Sequence, residues 1–170
     1  MFPQDLIAQS AALLDDFRAH GLHLATAESC TGGLVAGLLT EIAGSSDVVE
    51  RGFVTYSNAA KHELLGVPEA MLAEHGAVSE PVARAMAEGA LAHSHADVTV
   101  SITGVAGPGG GSAAKPVGLV HFAAARRGGP ALHRQCRFGD IGRAAVRLKA
   151  IEVALAMLRK AAALQGGRSS

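Results

Sequence analysis

Tryptophan is absent from this 170-residue chain, Tyr56 is its only tyrosine, and five phenylalanines complete the aromatic set. Grooves that dock peptides lean on aromatic anchors, so a peptide-binding module fits poorly. Cysteine is nearly as scarce, and Cys30 and Cys136 make no disulfide framework. An excess of either charge is also lacking. Fifteen Lys and Arg balance fifteen Asp and Glu, with no dense basic run, whereas a nucleic-acid groove or an anionic membrane patch normally leaves a positive surplus. No apolar stretch approaches the length of a membrane span, and no secretory signal is legible. Nucleic acid and membrane are therefore not expected partners, and a cytoplasmic protein is the expectation.

What the chain does have is an alternation of strand-like and helix-like patterns. Its length fits one domain, expected over residues 1–164, with 165–170 as a frayed tail. Leu6, Ile7, Leu13, Leu14 and Phe17 fall at helical spacing and predict a first helix over Pro3–Ala19. Leu22–Ala25 reads as a short buried strand, followed by a helix marked by Leu34, Leu38, Leu39 and Ile42 and closed by Gly44. Phe53–Tyr56 reads as a second strand, Asn58–Leu65 as a helix ended by Gly66, and Pro68–His75 as a further turn or two. Ser79 as N-cap, with Pro81 in the first turn, opens a long helix through Leu91. Val98–Ile102 is a central strand. Leu119–Ala124 and Leu132–Phe138 form an antiparallel hairpin turning at Arg126–Pro130, and a last helix spans about Gly142–Leu164. This order predicts an α/β domain with a hairpin beside a more parallel sheet.

The segment Ala27-Glu28-Ser29-Cys30-Thr31-Gly32-Gly33 lies between the first strand and the helix after it. Small residues let a ligand approach the backbone, and free N–H groups at a helix start attract anions. Ligands in open α/β sheets bind at such strand ends, so this turn is the expected site. A second strand-to-helix segment runs from Arg51 to Lys61. With Asn58 as N-cap, Lys61 falls at the third helical position, where the positive helix end and burial both lower a lysine pKa. A neutral lysine can take the proton of a serine hydroxyl, a poor nucleophile unaided. The Tyr56 phenol is placed to orient that amine or relay the proton.

Each of these residues also has a plainer reading. Alone, Lys61 is more often a solvated helix lysine, Ser29 a capping serine, and Tyr56 a core or rim residue. Cys30 competes as nucleophile because helix N-termini lower thiol pKa values, although a small buried cysteine is the commoner case. The loop Thr103–Ser112, with Gly104, Gly107, Gly109, Gly110 and Gly111, matches neither the Walker loop nor the dinucleotide fingerprint. Its glycines present N–H groups to a phosphate or carboxylate, or simply turn the chain. Eight histidines show no zinc spacing, and His93 and His95 read as solvated. No metal and no cofactor is expected.

Beyond these local patterns, several motifs in order resemble the CinA C-terminal domain family. They are Ala27–Gly33, Gly44-Ser45-Ser46, Arg51–Asn58 with Lys61, Leu65-Gly66-Val67, His75–Ser79, Ile102–Pro108 and Lys115-Pro116-Val117-Gly118. The resemblance runs from about Leu6 to Leu158. It implies a three-layer α/β/α sandwich with a mixed, mostly parallel central sheet, and a homodimer. It further implies nicotinamide-nucleotide amidohydrolase activity: hydrolysis of the carboxamide of nicotinamide mononucleotide (NMN) to nicotinate mononucleotide and ammonia, in NAD recycling. Some members carry an added N-terminal domain related to molybdopterin-binding proteins, and this chain resembles the form without it.

Mapped onto these residues, the resemblance makes Ser29 the nucleophile, Lys61 its base and Tyr56 a supporting hydroxyl. Cys30, Thr31, Gly32, Gly33, Thr103, Gly104 and Gly107 become substrate-binding residues, with backbone N–H groups of Cys30 to Gly32 as the oxyanion hole. Lys115 or Arg143 is then the cation nearest the phosphate. One departure stands out: members often have Gly-Asp-Arg before the last helix, and here the run is Gly139-Asp140-Ile141-Gly142-Arg143. Arg143 replaces the usual arginine if the loop absorbs two residues. Two rival readings are a nucleotide-binding module without turnover, of the competence or damage-response type, and a hydrolase of another small amide.

Overall fold

A computed structural model describes residues 1–164, and the tail expected over 165–170 lies outside them. The elements are α1 (Gln4–Ala19), β1 (Leu24–Glu28), α2 (Leu34–Thr40), β2 (Val49–Val54), α3 (Asn58–Leu65), α4 (Glu69–His75), α5 (Glu80–Ala92), β3 (Val98–Gly104), β4 (Leu119–Arg126), β5 (Leu132–Arg137) and α6 (Arg143–Ala163). A single 3₁₀ turn at Ser45–Asp47 leads into β2. No helix among the described residues is long and apolar enough to cross a membrane.

The five strands form one sheet in the order β2-β1-β3-β4-β5. β2, β1 and β3 are parallel, whereas β4 runs antiparallel to β3 and β5 antiparallel to β4. The hairpin expected beside a parallel sheet is therefore β4–β5. Helices α1, α2 and α6 cover one face over a core of Leu13, Leu14, Phe17, Leu38, Val100, Phe122 and Ile151. Helices α3, α4 and α5 cover the other, around Leu65, Leu72, Val82 and Met86. The chain is a three-layer α/β/α sandwich.

β1 and β2 depart most from their expected limits, for different reasons. β1 runs on through Glu28 with every residue buried, Thr26 and Glu28 included, so the apolar run Leu22–Ala25 catches only its beginning. β2 ends at Val54 instead of Tyr56, and its exposed Arg51 and Gly52 face solvent at the sheet edge. An edge strand with one wet face carries little apolar signal.

β3 alternates by face. Val98, Val100 and Ile102 join the α6 side of the core. Thr99, Ser101 and Thr103 point the other way: the first two hydroxyls donate to the α5 carbonyls of Ala87 (2.7 Å) and Ala83 (2.6 Å), and the third to Ala77 (2.8 Å) just before that helix. Buried hydroxyls are tolerable because each has found a partner. Alanines on the facing side of α5 admit this approach: Ala83 and Ala87 pack on Ala123 and Ala125 of β4. At Gly89, a Cβ would lie 2.0 Å from the Leu65 carbonyl at the end of α3, so only glycine lets these two helices touch there.

Candidate active site

β1 delivers Ser29 to the carboxyl end of the sheet, where the Ser29 N–H donates to the Ile102 carbonyl near the end of β3 (2.9 Å). The chain then turns through Gly32 and Gly33, with φ of +56° and +96°, conformations that favour glycine. β2 ends beside β1, and the Thr55 N–H donates to the Glu28 carbonyl (2.8 Å). This tie places the start of α3 next to the Ser29 turn. Ser57 caps α3 by accepting from the Ala60 N–H (3.0 Å), so Ser57 and not Asn58 is the N-cap, and Lys61 is the fourth helical residue.

Lys61 is no solvated helix lysine: it is 1% exposed. Its amine donates to Ser29 Oγ (3.0 Å) and the Thr55 carbonyl (2.9 Å), with the Tyr56 carbonyl at 3.5 Å. Among the described residues no carboxylate forms an ion pair with it. Burial pushes its pKa below the ordinary lysine value; the first cause is desolvation, which disfavours the charged form. Cys30 goes the other way. Burial pushes its thiol up to about 12, so Cys30 is protonated at neutral pH and unfit as a nucleophile.

Ser29 and Lys61 open into a cleft of about 280 Å³ whose lining includes Cys30, Tyr56, Thr103, Gly104, Gly107 and Arg143. Gly109 and Gly110 are shared with an adjoining open cavity of about 650 Å³ bordered by Arg137. Tyr56 stands at the rim, 62% exposed. Its hydroxyl accepts from Arg143 (3.0 Å), which also donates to the Gly107 carbonyl (2.8 Å). Arg143 thus reaches the site at the start of α6 despite the altered loop before it. The Tyr56 phenol bonds to Arg143, and it is backbone carbonyls that hold the Lys61 amine.

The remaining candidates sit elsewhere. Thr31, Gly32, Gly33 and Lys115 do not line the cleft. Thr31 is buried and donates to Glu28 (2.7 Å). The Gly32 N–H donates to the Ser29 carbonyl (3.0 Å), which leaves the N–H groups of Cys30 and Thr31 without a protein acceptor among the described residues. The Thr103 hydroxyl donates to Ala77, leaving it only lone pairs for a ligand. Lys115 donates to the His75 carbonyl, away from Ser29. Residues the sequence reading missed are Thr55, whose carbonyl holds the lysine, Ala77 and Val78 in the cleft wall, and Glu28 and Arg147 behind the turn. A signal for Glu28 existed: Gly33 has no side chain to cap α2, and the acid five residues before it accepts from the Val35 and Ala36 N–H groups.

A serine and a buried lysine in contact at the strand ends define a class: α/β/α sandwich proteins with a Ser–Lys contact in a cleft at the carboxyl ends of the strands. More narrowly, the chain belongs to the CinA C-terminal domain family, whose model matches residues 7–162. It is 53% identical over 159 residues to the Escherichia coli nicotinamide-nucleotide amidohydrolase PncC, covering 93% of this chain and 95% of that protein. It is 50% identical over 167 residues to a CinA-like protein of Mycolicibacterium vanbaalenii, covering 96% of this chain but spanning only 39% of that longer relative. Among solved structures, the competence/damage inducible protein CihA of Agrobacterium tumefaciens superposes with a TM-score of 0.94 at 54% identity, over 95% of this chain and 98% of that one.

Proposed function

We propose that the chain is a nicotinamide-nucleotide amidase. It hydrolyses the carboxamide of NMN to nicotinate mononucleotide and ammonia, with Ser29 as nucleophile and Lys61 as base. The observation that carries the reading is the 3.0 Å contact between Lys61 Nζ and Ser29 Oγ. A neutral amine has two N–H donors and one lone pair. In the neutral form the Thr55 and Tyr56 carbonyls take both donors, at 2.9 and 3.5 Å, and the Ser29 contact reverses: the ammonium's donation to Oγ is replaced by the hydroxyl donating to the amine lone pair.

Ser29 Oγ attacks the carboxamide carbon while its proton passes to Lys61. The oxyanion forms beside the free N–H groups of Cys30 and Thr31; one such donor is worth about a hundredfold or more. Collapse breaks the C–N bond, Lys61 returns its proton to the departing ammonia, and an acyl-serine ester remains. Water, deprotonated by Lys61, then releases the carboxylate and restores the Ser29 hydroxyl. Tyr56 and Arg143 form the outer wall, and the phosphate side of the nucleotide lies over Gly109 and Gly110, with Arg143 and Arg137 as the nearby cations. A homodimer in the cytoplasm, handling a soluble nucleotide, completes the reading.

The test is ammonia release from NMN by the purified protein beside Ser29→Ala. Turnover by the wild type and none by a folded Ser29→Ala variant is the expected result, with nicotinamide riboside, which lacks the phosphate, a poorer substrate. A wild type that binds NMN without turnover would mean a binding module; one that neither binds nor hydrolyses it would mean another amide.

A further inference from the structure

The nucleophile turn contains two consecutive left-handed glycines, Gly32 and Gly33, and glycine loses more conformational freedom on folding than any other residue. Something must hold such a turn if Ser29 Oγ is to stay 3.0 Å from Lys61 Nζ. Two charged side chains outside the cleft grip it. Glu28 is fully buried and receives four hydrogen bonds. Oε1 accepts from Thr31 Oγ1 (2.7 Å) and the Val35 N–H (2.8 Å), and Oε2 from the Ala36 N–H (3.1 Å) and Thr26 Oγ1 (3.3 Å). Arg147, on the second turn of α6, donates from Nη2 to the Thr31 carbonyl (3.3 Å). The same nitrogen lies 3.2 Å from where a Cβ on Gly32 would be.

We infer that Glu28 and Arg147 are positioning residues that fix the Ser29 turn by holding Thr31 from opposite ends. Thr31 is the shared element: its hydroxyl is gripped by Glu28 and its carbonyl by Arg147. The carboxylate also ties the turn to the second and third N–H groups of α2, a capping role that Gly33 cannot fill. This grip aims the free N–H groups of Cys30 and Thr31 and keeps Ser29 in reach of its base. The inference rests on the amidase reading given above. Neither residue lines the cleft, so the effect falls on kcat and not on KM.

Glu28→Gln is a poor probe. The Val35 and Ala36 N–H groups reach one carboxylate oxygen each, so either orientation of an amide sets an NH₂ against a donor, and the variant risks misfolding. Thr31→Val, Thr31→Ser and Arg147→Met are cleaner. They are compared with the wild type by steady-state NMN hydrolysis, by thermal melts, and by the rate at which a fluorophosphonate labels Ser29, read by intact mass. In that labelling the serine oxygen displaces fluoride from phosphorus, so it reports on the nucleophile whatever the natural amide is. A displacement of about 1 Å at a reacting atom costs roughly a hundredfold. Thr31→Val and Arg147→Met should therefore lose about 10- to 100-fold in both kcat and labelling rate, with KM little changed and a cooperative melt. Thr31→Ser, which keeps the hydroxyl, should restore most of both. Folded Thr31→Val and Arg147→Met proteins with wild-type kcat and labelling would overturn the inference. A wild type whose Ser29 neither labels nor releases ammonia would overturn instead the reading on which it rests.

Discussion

Replacing Lys61 by methionine removes the amine and keeps the length of the apolar stem, at a side chain only 1% exposed. The change in stability has two opposed parts. The Ser29 and Thr55 bonds are lost, at about 0.5–1.5 kcal/mol each, and an orphaned buried carbonyl costs up to about 3 kcal/mol. Against this, no amine remains to be stripped of water, which is the cost that depresses the lysine pKa. The two oppose each other, so the net loss is smaller than the bond terms alone, and each ~1 kcal/mol of it lowers Tm by about 2–4 °C for a domain of this size. The catalytic effect is larger. Loss of a general base costs about 10²–10⁴ in rate, which is about 2.7–5.5 kcal/mol of barrier. Ammonia release coupled to glutamate dehydrogenase measures it. The wild-type rate should rise with pH as Lys61 deprotonates, with a midpoint below the ordinary lysine value. Lys61→Met should lack that limb and recover only partly at high pH, where hydroxide substitutes for the base. Because the folded-state pKa is lowered, the wild type also loses stability relative to the variant as pH falls from the ordinary lysine value through the depressed one. A folded Lys61→Met protein within tenfold of wild-type turnover would refute the base assignment.

Other outcomes follow from the same geometry. Cys30→Ala, at a thiol held protonated by burial, should keep turnover within about tenfold; complete inactivation of a folded variant would return the thiol to the mechanism. Tyr56→Phe removes the acceptor of Arg143 at the rim. It should raise KM for NMN while kcat stays within about tenfold, whereas a kcat loss of a thousandfold would put the phenol in the proton path. Gly89→Ala drives a methyl group into the Leu65 carbonyl and should cost about 1–3 kcal/mol by overpacking; an unchanged urea midpoint would mean that α3 and α5 separate easily.

The fold was legible where burial and periodicity coincide. α1, α3 and the β4–β5 hairpin fall close to their expected limits, since Leu13, Leu14, Phe17, Leu65 and Phe122 are both apolar and buried. β1 was clipped because its last residue is a buried glutamate, and no hydropathy pattern anticipates a carboxylate satisfied by a turn it has yet to meet. The pairing of Ser29 with Lys61 came from chemistry plus resemblance, 32 residues apart in sequence. Its detail did not. Lys61 is held by main-chain carbonyls, which leave no mark on residue identity, and the cause of its lowered pKa is burial more than position on the helix. Lys115 is a phosphate candidate through the resemblance, and in the structure its amine donates to the His75 carbonyl at the end of α4. Arg147, four residues past Arg143, reads as an ordinary helix arginine until the turn it touches is in place.

The hydroxyl face of β3 has a geometric consequence for how α5 is seated. Apolar contact resists separation but permits sliding, because it has no direction. Two residues along a strand advance about 6.6 Å, and four along a helix about 6.0 Å. The step from Thr99 to Ser101 therefore keeps pace with the step from Ala87 back to Ala83, as two rulers of nearly equal gradation do. The third mark, Thr103 on Ala77, falls just beyond the helix, in the wall of the cleft. A shift of α5 by one residue would put every hydroxyl out of alignment at once. The strand thus sets the longitudinal position of a helix and, through it, the width of the cleft facing Ser29.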